Sequence, residues 1–231
     1  MVHSEDIGFH VIAHVHNDYT GKFGIPRQSG LVPEALSRIV FVPTYRNPDA
    51  LRGLEEFSHI WLLWEFSENL RDNWSATVRP PRLGGNVQKG VFATRSPFRP
   101  NPVGLSLVKL EKIEEETTQG PILWVTGADL MDGTPLFDIK PYLPHTEAVP
   151  EARGGFATGF KDYALQVECP PALLALIPQD KQEVLLKILA QDPRPGYSQD
   201  AEGVYGLSFA EFNVRFQVQD NKVLVREIAP K

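Results

Sequence analysis

Three short segments carry residue types from which a polar binding site is made. Gly24-Ile-Pro-Arg-Gln28, Ala93-Thr-Arg-Ser-Pro-Phe-Arg-Pro-Asn-Pro-Val-Gly104 and Met131-Asp-Gly-Thr-Pro-Leu-Phe-Asp-Ile-Lys-Pro-Tyr142 each set Arg, Asn or Asp among prolines and glycines. Proline fixes φ and lowers loop entropy, so such turns present their side chains in a prearranged geometry. The middle segment lies in a longer run of one charge sign. From Arg79 to Lys109 there are six basic residues (Arg79, Arg82, Lys89, Arg95, Arg99, Lys109) and no Asp or Glu, in a chain whose net charge is −6. The run is either a loop that happens to be basic or a site for an anion such as phosphate.

Other chemistries find little support. His10, His14 and His16 alternate and would share one strand face, but a metal site needs donors that the sequence does not identify, so no metal is expected. No G-x-G-x-x-G follows a strand, and neither G-x-x-x-x-G-K-[ST] nor G-x-S-x-G occurs, which leaves a dinucleotide fold, a P-loop and a hydrolase elbow unsupported. The single cysteine, Cys169, forbids an intrachain disulfide and points to a reducing, cytoplasmic setting. No signal-like start or membrane-length apolar stretch is present, so no membrane partner is expected.

The elements that must position these segments read as short strands. The chain has 231 residues, 42% of them hydrophobic, enough for a sizeable core, and its 18 Gly and 20 Pro argue against a helical bundle. Strand patterns run over 7–16, 38–43, 57–66, 90–94, 105–113 and 122–127, with turn signals between them. Helical crossovers of the length parallel strands require are missing, so an antiparallel barrel or sandwich is predicted. Residues 145–162 are polar and Gly-rich and read as a linker. Beyond them, 171–177 and 180–191 read as helices, the second with Val184, Leu185, Ile188 and Leu189 on one face. Segments 212–219 and 222–228 alternate around Asp220-Asn221, a hairpin signal. The chain is therefore expected to be mostly β, with an antiparallel barrel or sandwich over 1–149 and a small α+β domain over 150–231.

Several ordered motifs resemble one family. Pro26-Arg27-Gln28, Gly53-Leu-Glu-Glu-Phe-Ser-His-Ile-Trp61, Pro80-Pro-Arg-Leu-Gly84, Gly90-Val-Phe-Ala-Thr-Arg-Ser-Pro-Phe-Arg-Pro-Asn-Pro102, and Asp132-Gly-Thr-Pro135 through Asp138-Ile-Lys-Pro141 are similar to the TsaA-like family, the tRNA methyltransferase O enzymes. Gln191-Asp-Pro-Arg-Pro-Gly-Tyr197 and Phe212-Asn-Val-Arg215 extend the resemblance to its long bacterial form. The resemblance implies a single-sheet β-barrel, usually homodimeric, that binds S-adenosyl-L-methionine and methylates N6 of N6-threonylcarbamoyladenosine next to the anticodon of tRNA. A non-catalytic barrel that binds RNA or a small anion is the alternative.

Carried over residue by residue, the resemblance implies cofactor contacts at Pro26, Arg27, Gln28, Ser67, Glu68, Arg95, Leu105, Leu130, Met131, Asp132 and Gly133. The cofactor carboxylate wants an Arg fork, from Arg27 or Arg95. Many relatives carry His where Ser67 stands, and this chain departs there. Asp132 and Asp138 are candidate acceptors for the N6 proton, Asp132 also being of a type that caps a turn. For the tRNA anticodon stem-loop, Arg82 and Lys89 offer phosphate contacts, and Arg99, Lys140 and Asn101 offer recognition of the charged, polar base. Arg194 and Tyr197 suit phosphate contact and stacking, or a turn after the preceding helix.

Overall fold

The structure, a computed structural model, describes residues 8–70, 73–194 and 203–231. In chain order, strands β1 (Ala13–His16), β2 (Leu36–Phe41) and β3 (His59–Glu65) are followed by a small ribbon of β4 (Thr77–Val78) and β5 (Lys89–Gly90). Then come β6 (Val103–Glu114), β7 (Ile122–Thr126) and β8 (Pro135–Pro141). The six long strands close into a barrel of order β1-β2-β7-β6-β3-β8 with every neighbour antiparallel. Closure leaves no unpaired edge.

Alternation dictates which side chains fill the barrel. Along β3, Ile60, Leu62 and Trp64 point inward and are buried, while the intervening residues face out. They pack with Val15, Ile39, Val108, Leu123 and Leu136 from the other strands. The antiparallel barrel expected from the sequence is the one observed.

Two readings need correction. Segment 131–142, read as turns, includes a strand that closes the barrel against both β1 and β3. Its prolines hide the strand pattern, yet Pro135 and Pro141 stand at the two ends of β8, where a missing N–H disturbs the ladder least. Segment 90–94 is no barrel strand: only Gly90 pairs, with Thr77, and Val91–Ala93 is a 3-10 turn. Among the N-terminal residues expected as strand, 13–16 form one.

Beyond β8, the stretch 145–162 that reads as a linker is accompanied by short helical turns at Pro144–Glu147 (α1) and Gly155–Phe160. The rest forms β9 (Gln166–Glu168), α2 (Pro171–Leu174), α3 (Gln179–Ala190), β10 (Tyr205–Phe209), β11 (Phe212–Gln219) and β12 (Lys222–Pro230). The sheet order is β10-β11-β12-β9, with β9 parallel to β12. The β11–β12 hairpin turns at Asp220 and Asn221, both at positive φ (48° and 60°), the conformation a two-residue hairpin demands. The apolar face of α3 packs on this sheet.

Loop 17–35 joins the two cores. Tyr19, Val32 and Ala35, which belong by sequence to the barrel half, are buried in the C-terminal cluster with Leu185, Phe209 and Phe216. Ala210 N–H donates to the Asp18 carbonyl at 2.8 Å, and Lys181 Nζ lies 2.6 Å from the Asp18 carboxylate. The segment carrying Pro26-Arg27-Gln28 is therefore held from both sides.

Candidate active site

At the end of the barrel where β3 runs out and β6 begins, a cleft of about 540 Å3 opens. Its floor and one wall are aromatic. Trp64 and Phe66 have ring centroids 4.3 Å apart, and the Trp64 indole donates from Nε1 to Ser106 Oγ at 2.9 Å. Glycine at position 104 makes this possible, because a Cβ there would meet the Trp64 ring at 2.2 Å. Facing walls come from loop 22–28, the 3-10 turn Ser67–Asn69, the Pro-rich loop 95–105 and residues 129–134. Lys22 ties two of them by donating from Nζ to the Glu68 carbonyl at 2.9 Å.

Eight of the eleven cofactor candidates meet here: Pro26, Arg27, Gln28, Ser67, Glu68, Arg95, Leu105 and Met131. They come from four stretches of chain brought together by the fold. Leu130 lies beneath, buried in the barrel core. Asp132 and Gly133 are not brought in. Gly133, at positive φ, donates its N–H to the Val15 carbonyl in a turn. Asp132 accepts from Asn17 N–H at 3.1 Å and lies 3.3 Å from His16 Nδ1, in a separate polar hollow with Asp18, Arg38 and Lys181.

The two candidate forks differ in what they already hold. Arg27 donates from Nη2 to the Asp192 carbonyl at 2.7 Å and from Nε to the Gln191 carbonyl, so it clamps the C-terminal end of α3. Burial, and then the nearby Arg82 guanidinium, push its pKa below the usual value. Arg95 is exposed and makes one side-chain bond, from Nη1 to Gln28 Oε1 at 2.7 Å, which leaves the rest of its fork open to the cleft. Arg99 lines the cleft beside it, anchored to the Thr94 carbonyl at 3.3 Å.

The carboxylates also sort. Asp138 does not reach this cleft: it accepts from Ile139 N–H, pairs with Lys140 Nζ at 2.8 Å and borders a different hollow with Phe41 and Tyr45. Three carboxylates line the cleft, Glu65, the exposed Glu68 and Asp129, and of these sequence reasoning missed Asp129. Burial pushes its carboxyl above the usual range, opposed by a 2.5 Å hydrogen bond from Ser106 Oγ, by backbone N–H donors and by the charge of Arg95. Because Ser106 Oγ already accepts from Trp64, its single proton is directed at Asp129. Nothing in the run Gly127-Ala-Asp-Leu-Met-Asp132 says which aspartate turns inward, since that depends on where β7 ends.

The RNA candidates scatter. Asn101 is exposed just before β6, and Lys89 on β5 has its Nζ 5.9 Å from the Phe156 ring centroid. Arg82 packs over Tyr163 at 4.6 Å and Phe160 at 5.8 Å. Arg194 is held by Asp192 through bonds of 2.7 and 2.8 Å. Tyr197 lies outside the described residues. Among the described residues, no group of three His, Cys, Asp or Glu is arranged to hold a metal ion.

Residues 14–148 match the family model for the tRNA-methyltransferase O N-terminal domain, and 163–231 match the TrmO C-terminal domain. The chain belongs to the tRNA-methyltransferase O family. Its relatives in this family include the tRNA (adenine(37)-N6)-methyltransferase of Escherichia coli (strain K12), 42% identical over 231 residues, covering 96% of this chain and 98% of that one. The Eikenella corrodens protein of the same name is 46% identical over 173 residues, covering 74% and 97%. Among solved structures of the family, TrmO from Pseudomonas aeruginosa superposes with a TM-score of 0.75 at 32% identity, covering 97% and 99% of the two chains.

Proposed function

We propose that the chain is an S-adenosylmethionine-dependent tRNA methyltransferase that methylates N6 of the adenosine beside the anticodon, with N6-threonylcarbamoyladenosine as its substrate. It works in the cytoplasm as a homodimer. What carries the reading is that Pro26–Gln28, Ser67–Glu68, Arg95, Leu105 and Met131 converge on one cleft. The donor set suits the cofactor: an apolar wall from Phe66, Leu105 and Met131 for an adenine ring, the open Arg95 fork for a carboxylate, and Asp129 and carbonyls for positive charge. The volume falls in the range of small-molecule sites, roughly 300–1,000 Å3. When bound, the cofactor supplies an electrophilic methyl group.

The protein's part is positioning and proton removal. Walls built on β3 and β6 hold their side chains rigidly, which favours in-line placement of the attacking nitrogen. The N6 nitrogen of a carbamoylated adenine is a ureido nitrogen, a poor nucleophile but more acidic than an amine. As N6 gains the methyl group it gives up its proton, and Asp129, rather than Asp132 or Asp138, accepts it. Burial tunes that carboxyl toward proton uptake. Phosphate contacts fall to Lys89 from the acid-free run, with Arg99 and Asn101 toward the base; Lys140, paired with Asp138 beside a different hollow, takes no part.

Mass spectrometry of tRNA nucleosides from a deletion strain, before and after complementation, tests this. Loss of the methylated nucleoside and its return with the intact gene is expected. Unchanged nucleosides, together with tight cofactor binding by calorimetry, would instead make the protein a non-catalytic binding barrel.

A further inference from the structure

Beside the cleft, Trp74 and Phe92 form a stacked pair that the methyl-transfer chemistry does not use. Their ring centroids are 6.2 Å apart with planes 23° from parallel, and they are 52% and 73% exposed. Two large aromatics left in water next to one another are unusual for a soluble surface, and such patches mark interaction sites. The pair is rigidly mounted. Trp74 leads into β4 and Phe92 follows β5, Val91 N–H donates to the Ala76 carbonyl at 3.0 Å, and Val91 itself is buried, pinning the ribbon down. Ser75 N–H donates to the Phe98 carbonyl at 3.1 Å, joining the ribbon to the Pro-rich loop that carries Arg95 and Arg99 into the cleft.

We infer that Trp74 and Phe92 are a stacking platform for unpaired bases of the tRNA anticodon loop flanking the adenosine in the cleft. This rests on the function proposed above. The occupant is chosen by charge: Phe92 lies inside, and Trp74 just before, the stretch 79–109 that has six basic residues and no acid, with Lys89 on the ribbon itself. Aromatic faces interleaved with cations on a rigid ribbon suit single-stranded nucleic acid, whose bases stack while its phosphates meet the lysines. It also answers a geometric need, since a base in the cleft is held in line only if its neighbours along the strand are held too.

The test is binding of a synthetic anticodon stem-loop RNA to the full chain, with cofactor affinity and oligomeric state followed in parallel. Trp74→Ala with Phe92→Ala should weaken RNA binding by at least about tenfold, since a stacked base is worth roughly 5- to 150-fold. The slope of log K against log salt should stay unchanged, because stacking releases no counterions. Trp74→Phe should restore most of the affinity, and Trp74 fluorescence should be quenched by the RNA. Unaltered RNA affinity in the double variant, with cofactor binding intact, would overturn the platform alone. Conversion of a dimer to a monomer by the same variant would overturn it in favour of a second copy of this chain as occupant. Failure of the unaltered protein to bind RNA at all would overturn the platform and the proposed function together.

Discussion

Two aspartates held in different regions, Asp129 in the cleft and Asp192 at the seam between barrel and C-terminal sheet, have been pushed in opposite directions. Burial acts on both to disfavour the charge. At the seam, Arg194 meets Asp192 with a two-pronged bond and the Tyr163 hydroxyl donates at 3.1 Å, so the carboxyl is held below its ordinary value. In the cleft, Asp129 has a serine hydroxyl and backbone donors but no arginine in contact, and its carboxyl is raised. The same contrast separates Arg27, clamped onto carbonyls, from Arg95, whose fork is largely open. A charged group whose capacity is filled from within the chain builds the fold. One left partly open serves chemistry, and the surrounding seam keeps it in place.

Replacing Asp129 by Asn should have the largest effect. A lost general base costs about 10²- to 10⁴-fold in kcat, and the limb of the pH profile on which activity rises as Asp129 ionises should vanish. Stability should move the other way. A carboxyl with a raised folded pKa weakens the fold when ionised, and that cost is relieved as pH falls through the folded pKa toward the unfolded value near 3.9. Asp129→Asn should therefore be at least as stable as the parent at neutral pH, the gap closing in acid. A variant with full kcat and an unchanged acid limb would remove Asp129 from the chemistry.

Asp192→Asn should show the mirror image. Its folded pKa is depressed, so its contribution is present above the unfolded pKa and is lost as pH falls through the folded value. With side chains only 14% and 21% exposed, breaking the Asp192–Arg194 pair should cost about 2–3 kcal/mol at neutral pH. Denaturant titrations of both aspartate variants at several pH values would show whether the two stability differences carry opposite signs. Equal signs would dissolve the comparison.

Between the arginines the contrast is one of readout. Arg95→Ala should weaken cofactor binding by about 1.5–3 kcal/mol, roughly ten- to hundredfold, with stability changed by no more than about 0.5 kcal/mol. Arg27→Ala should chiefly lower the melting temperature, since it frees the carbonyls of Gln191 and Asp192. Calorimetry with melting curves on both variants separates them, and the reverse assignment would make Arg27 the fork.

Much of this architecture is legible in the sequence where a residue's neighbours along the chain decide its state. Alternation in 59–65 and the Asp220-Asn221 turn are local, and both read correctly. β8 hides because its prolines signal turns, and their tolerance depends on their standing at the strand's ends. The choice among Asp129, Asp132 and Asp138 is not local at all: it turns on the end of β7 and on which strand face looks into the cleft. Nor does a sequence show that Arg194 finds its partner two residues away in Asp192, or that Tyr19, Val32 and Ala35 bury themselves under another domain's sheet. Residue type names the available chemistry, while long-range packing decides which copies are left free to perform it.

The smallest effect should come from the outer part of the seam. Lys187 on α3 reaches Glu34 in loop 17–35 and Glu183 one turn back, at 2.9 Å for the latter. For Glu34, burial is the largest single influence and works against the charge, but the Lys187 hydrogen bond, a backbone hydrogen bond and the Lys187 charge together outweigh it and hold the carboxyl below its usual value; Lys187 is raised in turn by Glu34 and then Glu183. Both members of the Lys187–Glu34 pair are more than a third exposed, at 37% and 36%, so water and salt screen what those shifts imply. The depressed Glu34 contributes fully above its unfolded pKa, about 4.3, and loses that contribution as pH falls through the folded value, while the raised Lys187 contributes fully below its unfolded pKa and loses it as pH rises through the folded one, so the pair acts throughout the neutral range. Lys187→Met keeps the helix-forming stem and removes the charge. It should change stability by less than about 1 kcal/mol, and raising the salt concentration should erase the difference. A loss as large as that of Asp192→Asn would mean that exposed pairs, and not the buried core beneath Tyr19 and Val32, hold loop 17–35 in place.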